Sequence, residues 1–355
     1  MEVYLCSTIR HLLFSLLKSL SQPDKKQIIF MICDQQNIDE NSFDKTKLAE
    51  HVKVIFIKRE TIRNELYSDL QGQCIKLLAN FNIQLTVNLQ QKIAIKLFNQ
   101  TLGLSLSKTQ LTTSQLFVFN DRNKMSRLFR LAFPTYILIE EGLANYGGIK
   151  LKKIEKIISF FSFNKRKMRY FGDDKRCKSI YLITPEKSPL AIRSKVHEIN
   201  FIEANNINKY CLPFFKILKS KSYYCILATQ PLEHTGIDMQ IYQKIINVCL
   251  KNDISIAIKP HPKEDIRRYQ YLLPNIPLIE SKVPLELIIF GSSQKTHLIS
   301  LYSTVGVGFE KYCERHTIIK DNELERIQEL TTKWKQDIDL VDKRISKLID
   351  TIRHE

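Results

Sequence analysis

The chain has 355 residues, 44% of them hydrophobic and 26% charged, enough to bury two cores of ordinary size and too apolar for a disordered or fibrous protein. Lys and Arg number 54 against 37 Asp and Glu, a formal charge of +17, so an anionic partner is expected, whether nucleic acid, a phospholipid surface or a phosphorylated substrate. The 8 cysteines are scattered without a C-x-x-C pair, which favours free thiols in a reducing cytoplasm over disulfides or zinc.

The chain opens with "MEVYLCSTIRHLLFSLLKSL". Glu2, Arg10, His11 and Lys18 interrupt its apolar run, so it reads as a strand followed by an amphipathic helix and not as a signal peptide. Further strands are predicted at "IIFMIC", "VKVIFIK", "QLFVFN" and "TYILI", with helical spacing over 66–79 and 89–98 between them. A second series follows at "SIYLIT", "YYCILATQ", "ISIAIK" and "THLISLY". Strands alternating with helices predict parallel sheets covered on both faces, in two domains: 1–172 and 173–355. Between the series, Lys150–Lys178 holds 11 Lys and Arg against 3 acidic residues. It reads either as a solvated helix and linker or as a cationic patch for an anionic headgroup or acceptor. The last segment, 322–355, reads as one charged amphipathic helix packed across a domain. Nowhere are there about 18 uninterrupted apolar residues, the rough minimum for a membrane span.

In doubly wound domains the sites lie beyond the carboxyl ends of the strands, and four such ends carry candidate chemistry. "TYILI" runs into Glu140, Glu141 and Gly142. Neighbouring residues on an extended chain point opposite ways, so one carboxylate at most faces a given site and could act as a general base. "ISIAIK" ends on Lys259, Pro260, His261 and Pro262, where the prolines hold the imidazole on a stiff turn, able to bind or protonate a phosphate oxygen or simply to cap a helix. In "KVPLELIIFG", Glu286 opens an apolar helical segment and could accept hydrogen bonds from a ribose diol. "HLISLYSTVGVGFEKY" ends a strand at Ser303 and Thr304, with a helix expected after Gly306 or Gly308, an arrangement that suits an anion. It lacks the G-K-[ST] ending of a Walker A loop.

Taken in order, "EEG", "KPHP", "PLE" and "ST", together with "ILATQPLEHTG", resemble the motifs of bacterial sialyltransferases, most closely glycosyltransferase family 52, which includes lipooligosaccharide sialyltransferases; the bacterial polysialyltransferases are more distantly similar. The likeness spans roughly 135–312 and departs from the family in having two glutamates where aspartate is common. It implies a GT-B architecture, two Rossmann-like domains facing across a cleft, with the acceptor and base in the first and CMP-sialic acid in the second. It further implies Glu141 or Glu140 as the base, His261 at the donor phosphate, Lys259 and Pro262 near the cytosine, Glu286 on the ribose, and Ser303 and Thr304 on phosphate. The expected reaction is inverting transfer of sialic acid to a galactose-type hydroxyl of a lipooligosaccharide or capsular glycan. No D-x-D stands at a strand end, so no metal and no other cofactor is expected. The setting implied is the bacterial cytoplasm at the inner face of the inner membrane, with peripheral contact to anionic lipid; for the assembly, a homodimer is the usual prior. Other donors, such as a glucosyl nucleotide, stay open, as does a non-catalytic nucleotide- or nucleic-acid-binding protein. The last is disfavoured because the chain shows no RNP-like motif, KH loop or zinc knuckle.

Overall fold

The computed structural model describes residues 1–81, 85–151, 168–217, 223–230, 236–261, 264–281, 283–292, 294–302, 305–307, 309–320, 323 and 326–354. The chain divides into two compact units, Met1–Lys216 and Ile217–Glu355.

In the first unit, strands β1 (Glu2–Cys6), β2 (Gln27–Ile32), β3 (Val52–Ile57), β4 (Gln115–Val118) and β5 (Tyr136–Ile139) follow the predicted apolar runs. A short antiparallel pair, β6 (Ile149–Lys150) and β7 (Met168–Arg169), precedes β8 (Cys177–Leu182) and β9 (Val196–Glu198). The main sheet is parallel throughout, in the order β3-β2-β1-β4-β5-β8-β9. Strands buried on both faces need apolar residues at successive positions, which is why β1, β2 and β5 are buried at every residue. The helix Ile9–Leu20 begins at Thr8, whose hydroxyl accepts the His11 amide, and is buried from His11 to Leu20.

The division falls at residue 216 and not at 172. "SIYLIT" does form a strand, but β8 pairs with β5, so it extends the first sheet and carries β9 with it. Periodicity identifies a strand without saying which neighbour it joins.

The second unit holds a parallel sheet of order β11-β10-β12-β13, built from β10 (Cys225–Ala228), β11 (Ile256–Lys259), β12 (Thr296–Ser300) and β13 (Cys313–Thr317). The helix Asp238–Lys251 and the last helix pack on one face, sharing a core of Ile241, Ile245, Ile299, Val341, Ile345 and Ile349. The C-terminal segment is two helices, Ile327–Gln336 and Asp339–His354. Asp337 is extended (φ −141°, ψ 97°), and its carboxylate accepts the Asp339 amide, so one residue ends the first helix and caps the second. The helix expected after Gly306 or Gly308 is absent among the described residues. The chain turns through Gly306 (φ +78°), where a Cβ would lie 2.7 Å from Leu298, and next becomes regular at β13. The 8 cysteines are free, and all but Cys74 are buried.

Candidate active site

Strand order reverses between β1 and β4 in the first unit and between β10 and β12 in the second. The chain beyond those carboxyl ends is where a doubly wound unit opens a crevice.

In the first unit, β5 delivers Glu140 and Glu141 to that edge with very different surroundings. Glu140 is 1% exposed and fully engaged. Its Oε1 accepts Arg10 Nη2 at 3.1 Å, and its Oε2 accepts the Ile183 amide at 2.9 Å and the Tyr146 hydroxyl. Arg10, from the first helix, donates its other terminal nitrogen to the Glu141 carbonyl at 2.8 Å. Glu140 therefore ties three elements together and fixes the main chain of its neighbour. Glu141 is half-buried; Asn120 Nδ2, just past β4, donates to its Oε2 at 2.8 Å, and its amide donates to Asn145 Oδ1. Burial raises its pKa, opposed by the Asn120 hydrogen bond and by the charge of Arg10. Gly142 follows at φ +150°, and a Cβ there would stand 3.3 Å from Arg10 Nη1. Glycine at this position keeps the arginine in place.

At the end of β1, His11 Nδ1 receives the Ser7 amide at 3.3 Å, and its ring stacks on Phe119 with centroids 4.1 Å apart. Burial, aided by Arg10, pushes its pKa down to about 3, so the imidazole is neutral.

In the second unit, β11 ends at Lys259 and leads to His261. The His261 amide donates to Glu264 Oε2 at 2.8 Å and to the Thr229 hydroxyl at 3.3 Å. Glu264 is itself buried, accepting the Tyr269 hydroxyl at 2.7 Å and the Thr229 hydroxyl. A carboxylate three residues on thus holds the His261 main chain. Lys259 is buried with Nζ on the Ser281 carbonyl at 2.8 Å. Burial lowers its pKa to about 8 against the opposing charges of Glu286 and Glu280. Glu286 stands, as expected, in the first turn of the helix Leu285–Gly291. Across the reversal point, Gln230 Oε1 accepts the Tyr302 amide at 3.0 Å, joining the ends of β10 and β12. Pro262, Ser303 and Thr304 lie outside the described residues, as does 152–167 of the basic stretch.

Arg10, Asn120 and Glu264 escape a reading by motif. The available signal is position: Asn120 is a polar residue two places past β4, and Arg10 stands in the first turn of the helix that follows β1. Among the described residues, the set of side chains able to hold a metal ion is His297, Glu314 and His316. His297 lies near the amino end of β12, its Nδ1 3.0 Å from His316 Nε2. Burial and the neighbouring His297 lower the His316 pKa to about 4.

Residues 49–320 match Glycosyltransferase family 52. The chain belongs to that family. The matched region runs through both units and includes Glu140, Glu141, His261 and Glu286. An uncharacterized protein of Haemophilus influenzae is 27% identical over 239 residues, 63% of this chain and 72% of that one. The α/β-galactoside α-2,3-sialyltransferase of Photobacterium phosphoreum superposes with a TM-score of 0.50 at 13% identity, over 98% of each chain. At that identity the likeness is one of fold, the GT-B class of two Rossmann-like units, and the family match makes this chain a glycosyltransferase.

Proposed function

We propose that the protein is an inverting sialyltransferase that moves sialic acid from CMP-sialic acid to a galactose-type hydroxyl of a lipooligosaccharide or capsular glycan, without a metal ion. The observation that carries this reading is Glu141: in a family 52 chain, a half-buried carboxylate of raised pKa stands at the end of β5 while its neighbour is consumed in structure.

Inversion by single displacement needs a base for the acceptor hydroxyl on the face opposite the departing CMP, and an oxocarbenium-like state between. Glu141 takes the acceptor proton; a carboxylate raised by burial is a stronger base than one in water. Its carbonyl, held by Arg10, and its Oε2, held by Asn120, fix its aim. On the donor side, His261 meets the phosphate as CMP leaves, and Glu286 takes the ribose hydroxyls. Lys259, bonded to Ser281, secures the segment leading to Glu286, and Pro262, Ser303 and Thr304 complete the cytosine and phosphate contacts. Hydrogen bonds and fixed positive charge then do the stabilising that a metal does elsewhere. The acceptor is a glycolipid at the inner face of the inner membrane, consistent with the charge of +17 and with the finding that no described helix is long and apolar enough to cross a membrane.

The test is release of CMP from CMP-sialic acid by purified protein in EDTA, with and without lactose. Lactose-dependent release is expected, and Glu141→Gln should lower it by roughly 100-fold or more while CMP binding persists. Release without acceptor dependence, or only with another nucleotide sugar such as a glucosyl donor, overturns the donor or acceptor assignment.

A further inference from the structure

The helix Leu70–Phe81 buries Gly72, Ile75 and Ala79. Gly72 lets the first turn of this helix pass close to the chain that leads into it: a Cβ there would run into the Leu66 carbonyl. At 100° per residue the opposite face carries positions 70, 74, 77 and 81. Those residues are Leu70, Cys74, Leu77 and Phe81, and the apolar three are 87%, 57% and 73% exposed. A surface helix normally presents polar residues there. Val87 and Leu89, on the next helix, Val87–Ala94, are exposed as well. A run of large apolar side chains in water marks a surface that something covers.

The charge of the segment says what can cover it. From Leu70 to Asn120 the sequence contains no Asp or Glu, while Lys76, Lys92, Lys96 and Lys108 fall within it. Lys96 is buried against Asp69, leaving Lys76, Lys92 and Lys108 exposed. Behind the helix, a cavity of about 820 Å³ is lined by Arg59, Arg63, Lys76 and Lys124 against Asp34 and Glu60. Fifty-one residues without a carboxylate, in a chain that has 37, offer nothing to repel a negative surface. Apolar side chains flanked by lysines are how an element lies in the headgroup region of an anionic bilayer.

We propose that Leu70, Leu77 and Phe81 form a docking face that seats the first unit on an anionic phospholipid surface, the lysines of the same segment meeting the headgroups. This deepens the peripheral-membrane part of the functional reading and rests on it only for its purpose, bringing the enzyme to a lipid-borne acceptor. It places the contact on the helix Leu70–Phe81.

The experiment is cosedimentation of the full chain with vesicles of phosphatidylglycerol and phosphatidylethanolamine, against phosphatidylcholine alone. The protein should bind the anionic vesicles, and Leu77→Gln/Phe81→Gln should bind them roughly tenfold more weakly or worse. Both positions point to solvent and glutamine is a good helix former, so unfolding temperature should be unchanged. Leu70→Gln/Leu77→Gln provides a second variant with the same expectation. Transfer to a water-soluble acceptor should be retained in both. Equal vesicle binding by variants and parent overturns the proposal, as does binding to neither vesicle. So does a parent dimer that the variants convert to monomer while vesicle binding holds, since the face would then seat a second copy. Vesicle binding with no transfer from any donor refutes the functional reading and leaves the docking face standing.

Discussion

Glu140 beyond β5 and Glu264 beyond β11 are both buried, and each fixes the main chain of the residue that carries the proposed chemistry. The means differ. Glu140 works through an ion pair: it holds Arg10, and Arg10 holds the Glu141 carbonyl. Glu264 binds the His261 amide directly and is otherwise met by two hydroxyls, from Thr229 and Tyr269. In each unit one carboxylate holds the main chain of a residue to which the proposed function gives the chemistry. The lesson is that adjacency in a motif does not imply shared function.

The largest effect that tests this contrast is on stability. Removing one partner of a buried ion pair costs about 3–5 kcal/mol; Arg10 is one-fifth exposed, so Glu140→Gln should cost roughly 3 kcal/mol. Glu264→Gln should cost less, about 1–2 kcal/mol, because a neutral amide can still accept two of the three donors and the hydroxyls can reorient. Urea unfolding of the two variants decides it. An equal or larger loss for Glu264→Gln would mean that the second tether is the stronger, and the contrast between ionic and neutral fixing would fail.

The sequence made the strand ends legible and the tethers illegible, for one physical reason. A strand buried on both faces is apolar along most of its length, so β1, β2, β5, β10 and β11 announce themselves. β9 ("VHE") and β13 ("CERHT") pair at sheet edges and are largely half-exposed or exposed. They need no apolar pattern, so periodicity does not mark them as strands. Glu140, Glu141, His261 and Glu286 stand out as candidates because strand-end motifs are local. Arg10 and Glu140 are 130 positions apart, and no spacing rule reaches that far. In the sequence Arg10 is only an interruption of an apolar run. The choice between Glu140 and Glu141 needed the same distant partner, since only the tertiary contacts show which carboxylate is occupied.

A second way to sharpen the comparison uses the histidines at strand ends. His261 is half-buried, whereas His11 is buried and its pKa is lowered to about 3. An unfolded histidine titrates near 6.5. Between those values the unfolded chain binds the proton and the folded one does not, so the stability His11 confers is complete above about pH 6.5 and is lost as pH falls. From pH 7 to pH 5 the loss amounts to about 2 kcal/mol. His11→Gln, which stays neutral and can still accept the Ser7 amide, should flatten that part of the pH dependence. Hydrogen exchange at the amides of β1 and β4 reads it in the first unit alone. An unchanged slope would mean that other groups govern the acid lability there.

The smallest effect is the most specific to the proposed base. Burial raises the Glu141 pKa, and the Asn120 hydrogen bond is the larger of the two effects holding it down. A base must be deprotonated to work, so activity falls as pH drops through its pKa, and the acid limb of kcat/KM should sit above the ordinary carboxylate range. Asn120→Ala removes the bond at 2.8 Å and should move the limb to still higher pH. Asn120 Oδ1 also accepts the Arg122 and Asn123 amides, so the alanine variant disturbs the loop as well. Asn120→Asp keeps an acceptor for those amides and places a like charge beside Glu141, which should move the limb upward again with the loop intact. A merely structural role for Asn120 predicts lower activity in both variants with the limb unmoved. If the limb stays fixed while Glu141→Gln abolishes transfer, Glu141 orients the acceptor hydroxyl and the proton leaves by another group.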